Sequence, residues 1–204
     1  LCARVFDHGV LHRMAAVSSV PVVNMLSDFA HPLQAVADVL TMQQHLGDLQ
    51  GKTVTYVGDF NNVARSLCEA SAMLGMHIRL GCPEGYDAHG NELLGLTELG
   101  AASVEQYRDV AIAVSGAHAV HTDTWTSMGQ ESESAEREAV FAGFEVTNEI
   151  MSLADSRAIF MHCLPAHRGQ EVSPSVIDGP QSKIYPQAHN RMHAARGVLA
   201  FLMG

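Results

Sequence analysis

A β-branched and aromatic run from Lys52 to Gly58 turns at Gly58-Asp59 into a helical stretch from about Asn62 to Leu74. Gly75 stops that stretch, and Met76 to Cys82 returns to strand character before the turn at Pro83-Glu84-Gly85. A strand, a helix and a second strand in succession predict two parallel strands joined by a right-handed crossover. The alternation continues along the chain. Leu1 to Phe6 reads as a strand entered midway, and Val20 to Asn24 as a short strand that Pro21 confines to an edge or a strand start. His31-Pro32 then opens a helix, where proline is tolerated because the first helical N–H groups are unpaired. Ala35, Val36, Val39, Leu40 and Met42 repeat with helical spacing through Leu46, and Gly47 ends the run. Further strands are expected at Ala119–Thr122, Ala158–Met161 and Lys183–Tyr185. Further helices are expected in part of Leu93–Leu99 and of Tyr107–Ser115, at Ser134–Phe141 and Asn148–Ala154, from Ser173-Pro174, and from Ala188 to Leu202. This pattern predicts an α/β fold: a doubly wound, mainly parallel sheet flanked by helices.

Composition narrows the function classes. A 204-residue chain that is 47% hydrophobic and 17% charged has a real core. Its formal net charge of −10 sets nucleic acid and anionic membrane surfaces aside as main partners. Cys2, Cys68, Cys82 and Cys163 form no C-x-x-C pair, which argues against a zinc ribbon and for reduced thiols in a cytosolic protein. His8/His12 and His189/His193 stand at helical spacing without a third ligand or an H-E-x-x-H pattern, so no metal is expected. No apolar run approaches the roughly 20 residues of a membrane span, and no secretory signal is visible. A start at Leu1, inside a strand, suggests a fragment or a processed chain.

Four short motifs carry the chemistry. The apolar run Ala158–Met161 ends in His162-Cys163-Leu164-Pro165, which puts polar groups at the carboxyl end of a strand, the edge where open α/β sheets bind ligands. Gly58-Asp59-Phe60-Asn61-Asn62 lacks the spaced glycines of a dinucleotide fingerprint. Its asparagines at a helix start suit a carboxylate; helix capping by Asp59 or Asn61 is the alternative. Asp123 closes a strand where it could accept from an ammonium, with Ser127 and the backbone beside Met128 adding hydrogen bonds, although an Asx turn would look the same. His31 and Gln34 lie one helical turn apart and could hold a carbonyl oxygen and an amino group. Arg4 and Arg191 are candidate anion ligands, their forked donors matching phosphate; a solvated surface role is the alternative for each.

Taken together, His-Pro-x-Gln, the Asn-Asn turn, Asp-x-x-x-Ser-Met-Gly and His-Cys-Leu-Pro closely resemble the ornithine carbamoyltransferases in order and spacing. Putrescine carbamoyltransferases share the last motif and are the nearer competitor. The resemblance implies that Arg4, His31, Gln34 and Arg191 bind carbamoyl phosphate, and that Asn62, Asp123, Ser127 and Met128 bind the α-groups of ornithine. It places Cys163 and the Leu164 backbone where the δ-amine meets the carbamoyl group, Cys163 as orienter or proton acceptor. Arg4, His31 and Cys163 are the implied catalytic set.

The same resemblance implies no cofactor, a cytoplasmic enzyme of arginine metabolism, and a homotrimer for the full-length family member. Residues 1–47 would be a remnant of the carbamoyl-phosphate domain with its linking helix, 48–186 the ornithine domain, and 187–204 a helix packing back toward the first part. The family's Ser-x-Arg-Thr-Arg phosphate loop is absent from this sequence. A non-catalytic amino-acid-binding fragment therefore stands beside the enzyme reading.

Overall fold

The computed structural model describes residues 1–127 and 129–204. It opens with β1 (Cys2–Arg4), α1 (His8–Val17) and β2 (Val23–Leu26), the two strands pairing in parallel as a small sheet. Asp7 starts α1 by accepting the Gly9 N–H at 2.8 Å, a side-chain cap for one of the helix's unpaired donors. Helix α2 (Pro32–Leu46) leads into the main domain. There β3 (Thr53–Val57), α3 (Asn62–Met73), β4 (His77–Gly81), α4 (Gly90–Glu98) and β5 (Ser103–Tyr107) wind in one direction. After α5 (Val110–Val114), the chain returns to the other side of β3 with β6 (Ala119–Thr122). A 3₁₀ turn (Glu131–Glu133), α6 (Ser134–Phe141), α7 (Asn148–Met151), β7 (Ile159–His162), α8 (Pro174–Ile177) and α9 (Ile184–Met203) complete it.

The main sheet is five-stranded and parallel throughout, in the order β5-β4-β3-β6-β7. Its winding reverses between β3 and β6, so the crevice at their carboxyl ends is the switch point. Side chains alternate across the strands and feed two separate cores. Val54, Tyr56, Ile78, Leu80 and Met161 pack with α2 and α3 on one face. Val57, Val120 and Phe160 pack with Trp125, Phe141, Val176 and Ile184 on the other. Burial on both faces is why these strands read as continuous apolar runs. Helix α9 lies along α2, where buried Asn190 donates to Thr41 and to Gln44, both at 2.8 Å. Among the described residues no helix is long and apolar enough to cross a membrane.

The α/β, doubly wound expectation holds, with three local corrections. Strand β5 was not expected; it is a partly exposed edge strand carrying Glu105 and Gln106, so it lacks an apolar run, and α5 falls within the stretch expected to hold a helix. Lys183–Tyr185 is not a strand. Ser182 makes a single bridge to Phe160, Lys183 N–H donates to the Phe160 carbonyl at 2.8 Å, and the chain then enters α9 four residues earlier than expected. Strand β2 begins at Val23, leaving Pro21 outside the ladder, as its missing N–H requires.

Candidate active site

The switch point opens into a cavity of about 590 Å³. Nine of the ten residues singled out from sequence line it: Arg4, His31, Gln34, Asn62, Asp123, Ser127, Cys163, Leu164 and Arg191. Met128 lies outside the described residues. They reach the cavity from the ends of β1, β6 and β7, from the starts of α2 and α3, and from α9.

Asp123 organises one wall. Its Oδ1 accepts from the Thr124 N–H at 2.8 Å and from the Cys163 thiol at 3.0 Å, while Oδ2 accepts from Asn61 Nδ2 at 2.9 Å. Asn61 also caps α3, its Oδ1 accepting from the Val63 and Ala64 N–H groups at 3.0 Å each. Burial, reinforced by the Asp123 charge, raises the Cys163 thiol well above its ordinary pKa. The sulfur therefore keeps its proton at neutral pH and serves as a donor to Asp123. Of the two roles expected for Cys163, this geometry suits orientation and leaves proton acceptance without support.

His162 sets the turn that follows β7. Its Nδ1 accepts from the Leu164 N–H at 2.9 Å, so its Nε2 carries the proton toward Glu171 Oε1 at 3.2 Å. That bond holds Leu164 at φ +60°, an unusual conformation for a branched residue and one that recurs at functional sites. Asp123, His162 and Cys163 bring their ligand atoms within 4.8 Å of one another. They fit a metal poorly, because His162 Nδ1 is engaged by the Leu164 N–H and Nε2 by Glu171.

Cations and amides also line the cavity, Arg4, Arg191 and Gln34 among them. Burial, followed by the charges of Arg191 and Arg4 against the opposing pull of Asp38, lowers the His31 imidazole to about 4. His31 is thus neutral at physiological pH. His31 Nδ1 and Gln34 Oε1 are buried and have no partner among the described residues. Such atoms are costly unless a ligand or water satisfies them. Arg4 and Arg191 make no ion pair with any described residue, unlike Arg65, which is paired with Glu92.

Helix α3 holds the loop that carries His31. Asn62 Nδ2 donates to the Ser27 carbonyl at 2.6 Å, Arg65 Nη1 to the Phe29 carbonyl at 3.0 Å, and Ser66 Oγ accepts the His31 N–H at 2.9 Å. Asn62 lies at the cavity as expected, but its amide nitrogen is engaged in this internal link.

Several contributors escaped the sequence reading. Arg137 is buried, ion-paired with Asp59, and donates from Nε to the Trp125 carbonyl at 2.7 Å. It ties the turn after β3 to the loop after β6, and its guanidinium lies 4.8 Å from the Tyr86 ring centre. Burial raises the Asp59 carboxyl while Arg137 opposes the shift. Asp38 and Gln187 are also buried behind the cavity. Nothing in the local pattern marks any of these, because their partners are distant in sequence.

Fold and site define an α/β protein with a small-ligand cavity at its switch point, lined by carboxylates as well as by cations and neutral amides. The chain belongs to the aspartate/ornithine carbamoyltransferase family: residues 50–202 match the Asp/Orn binding domain and residues 1–44 the carbamoyl-P binding domain. It is 48% identical to the ornithine carbamoyltransferase of Parasynechococcus marenigrum and 49% identical to that of Hyperthermus butylicus, each match covering all of this chain. It covers 65% and 66% of those relatives, respectively, so it spans about two thirds of their length. Among solved structures, ornithine carbamoyltransferase from Pyrococcus furiosus superposes with a TM-score of 0.93 at 44% identity, covering 100% of this chain and 66% of that one.

Proposed function

We propose that this chain carries the acceptor side, and part of the donor side, of an ornithine carbamoyltransferase. The carbamoyl group of carbamoyl phosphate passes to the δ-amine of L-ornithine, giving L-citrulline and phosphate in arginine metabolism. The observation that carries this reading is a single cavity lined by unlike groups. Asp123 lines it together with Arg4, Arg191 and the unsatisfied His31 and Gln34.

The roles follow from charge. Asp123 attracts the α-ammonium of the amino acid, with Asn62, Ser127 and Met128 for its remaining α-groups. Arg4 and Arg191 hold the phosphate, and neutral His31 offers its N–H toward the carbonyl oxygen. The amine nitrogen attacks the carbonyl carbon, the carbon–oxygen bond to phosphate breaks, and the departing phosphate takes the amine's surplus proton. Holding both substrates in line removes an entropic barrier worth up to about 7–11 kcal/mol, and the arginines stabilise charge growing on the leaving group. Cys163 and the Leu164 backbone position the attacking amine. We assign residues 1–47 and 187–204 to the donor side and residues 48–186 to the acceptor side. A cytoplasmic setting agrees with four free cysteines, and the longer relatives' assembly is proposed to be a homotrimer.

The test is citrulline formation and calorimetric ligand binding by the purified chain, with putrescine as the competing acceptor. Ornithine binding that Asp123→Ala abolishes is expected, together with ornithine-dependent citrulline. A preference for putrescine, or no ornithine binding, overturns the reading. Ornithine binding without product selects a second reading, a non-catalytic ornithine-binding chain.

A further inference from the structure

The geometry points to Asp38 and Gln187 as positioning residues that fix the Gln34 amide with its oxygen toward the cavity, making this subsite selective for a ligand that presents an N–H. The inference rests on the carbamoyl-phosphate reading above and goes beyond it by naming the residues that hold Gln34 in one orientation.

The orientation of each group follows from the one before it. The backbone N–H of His162 can only donate, so the Gln187 atom 2.9 Å away is its oxygen. The Gln187 nitrogen is therefore the atom that points at Asp38 Oδ1, at 2.7 Å. Its second hydrogen faces His121 Nε2 at 3.1 Å. Asp38 Oδ1 also takes a second donor, Gln34 Nε2, at 2.8 Å. With one N–H of Nε2 committed to Asp38, Gln34 keeps Oε1 as its only acceptor, and that atom is buried, unpartnered and part of a residue lining the cavity. Asp38, Gln187 and His121 have no solvent exposure, and Gln34 has 1%. Water therefore does not readily scramble the order, and a buried network of this kind holds one arrangement. A glutamine free of Asp38 could turn either end toward the ligand; this one presents an acceptor.

The consequence is discrimination between a carbamoyl and an acyl group. Acetyl phosphate keeps the carbonyl and the phosphate of carbamoyl phosphate but has a methyl where the amino group stands. It leaves Gln34 Oε1 unpaired. Loss of one such buried hydrogen bond corresponds to about a tenfold loss of affinity.

The experiment compares calorimetric affinities for carbamoyl phosphate, acetyl phosphate and inorganic phosphate in the wild-type chain, Asp38→Leu and Asp38→Asn. Wild type is expected to prefer carbamoyl over acetyl phosphate about tenfold. Asp38→Leu should lose that preference while binding inorganic phosphate unchanged. Asp38→Asn should keep it, because an asparagine oxygen can accept from both glutamines. A preference that survives in Asp38→Leu, or that both variants lose equally, overturns the proposal. Should Asp38→Leu not fold, wild type still decides it. The Gln34 side-chain carbonyl ¹³C resonance should move with carbamoyl phosphate and not with acetyl phosphate; an equal response to both refutes the assignment. No binding of carbamoyl phosphate to wild type overturns the functional reading instead. In that case, Gln34 amide protons that exchange slowly in the free protein support the fixed orientation, and fast exchange refutes it.

Discussion

The Cys163 thiol donates to Asp123 Oδ1 at 3.0 Å, joining the ends of β7 and β6 in the lining of the cavity. Burial is the larger cause of the raised thiol pKa, and the Asp123 charge the next. Cys163 should thus alkylate slowly at pH 8, well behind exposed Cys2. Asp123→Asn removes the charge but not the burial, so the Cys163 rate should rise several-fold and still trail Cys2. Peptide mapping after timed iodoacetamide treatment reads both rates; a Cys163 rate equal to that of Cys2 in wild type contradicts the assignment.

His31 makes stability depend on acid in a defined window. Its pKa is 6.5 in the reference state and about 4 in the fold. Above pH 6.5 neither state is protonated and the group contributes no pH dependence. As pH falls from 6.5 toward 4, the unfolded chain takes up the proton first, and the fold loses stability relative to it. Between pH 7.5 and pH 5 the loss from this residue is about 2 kcal/mol. His31→Gln cannot titrate and should remove that share of the decline. Urea denaturation at the two pH values measures it, and an undiminished decline in the variant counts against the burial-driven shift.

Arg137 joins Asp59 to the loop after β6. Arg137→Met leaves a partly buried carboxylate without its partner, at a cost of about 3 kcal/mol. The double variant Arg137→Met, Asp59→Asn should recover a large part of that loss, since no charge is then stranded. Additive losses in the double-variant cycle would mean the pair is not coupled.

The adjacent asparagines should separate in their effects. Asn61→Ala removes the cap of α3 and a donor to Asp123, costing about 1–2 kcal/mol of stability. Asn62→Ala removes a link to Ser27 and a cavity side chain, so its larger effect should fall on ornithine affinity. Thermal denaturation and calorimetry on both variants distinguish the two; a reversed order refutes the division.

Helix and strand alternation, the apolar runs and the punctuating glycines were readable along the chain because they depend on neighbours a few residues away. That is why β3, α3, β4, β6 and β7 lie close to where the pattern puts them, and why nine of the candidate residues prove to share one cavity. Edge strand β5 was not readable, since partial exposure erases the apolar signal. Nor was the ion pair of Arg137 with Asp59, which are 78 positions apart, or the chain of amides from His162 through Gln187 to Asp38 and Gln34. Sequence determined which side chains stand at the strand ends. Tertiary packing decided which atoms they turn toward the ligand, because burial and distant partners set the protonation of Cys163 and His31 and the orientation of Gln34.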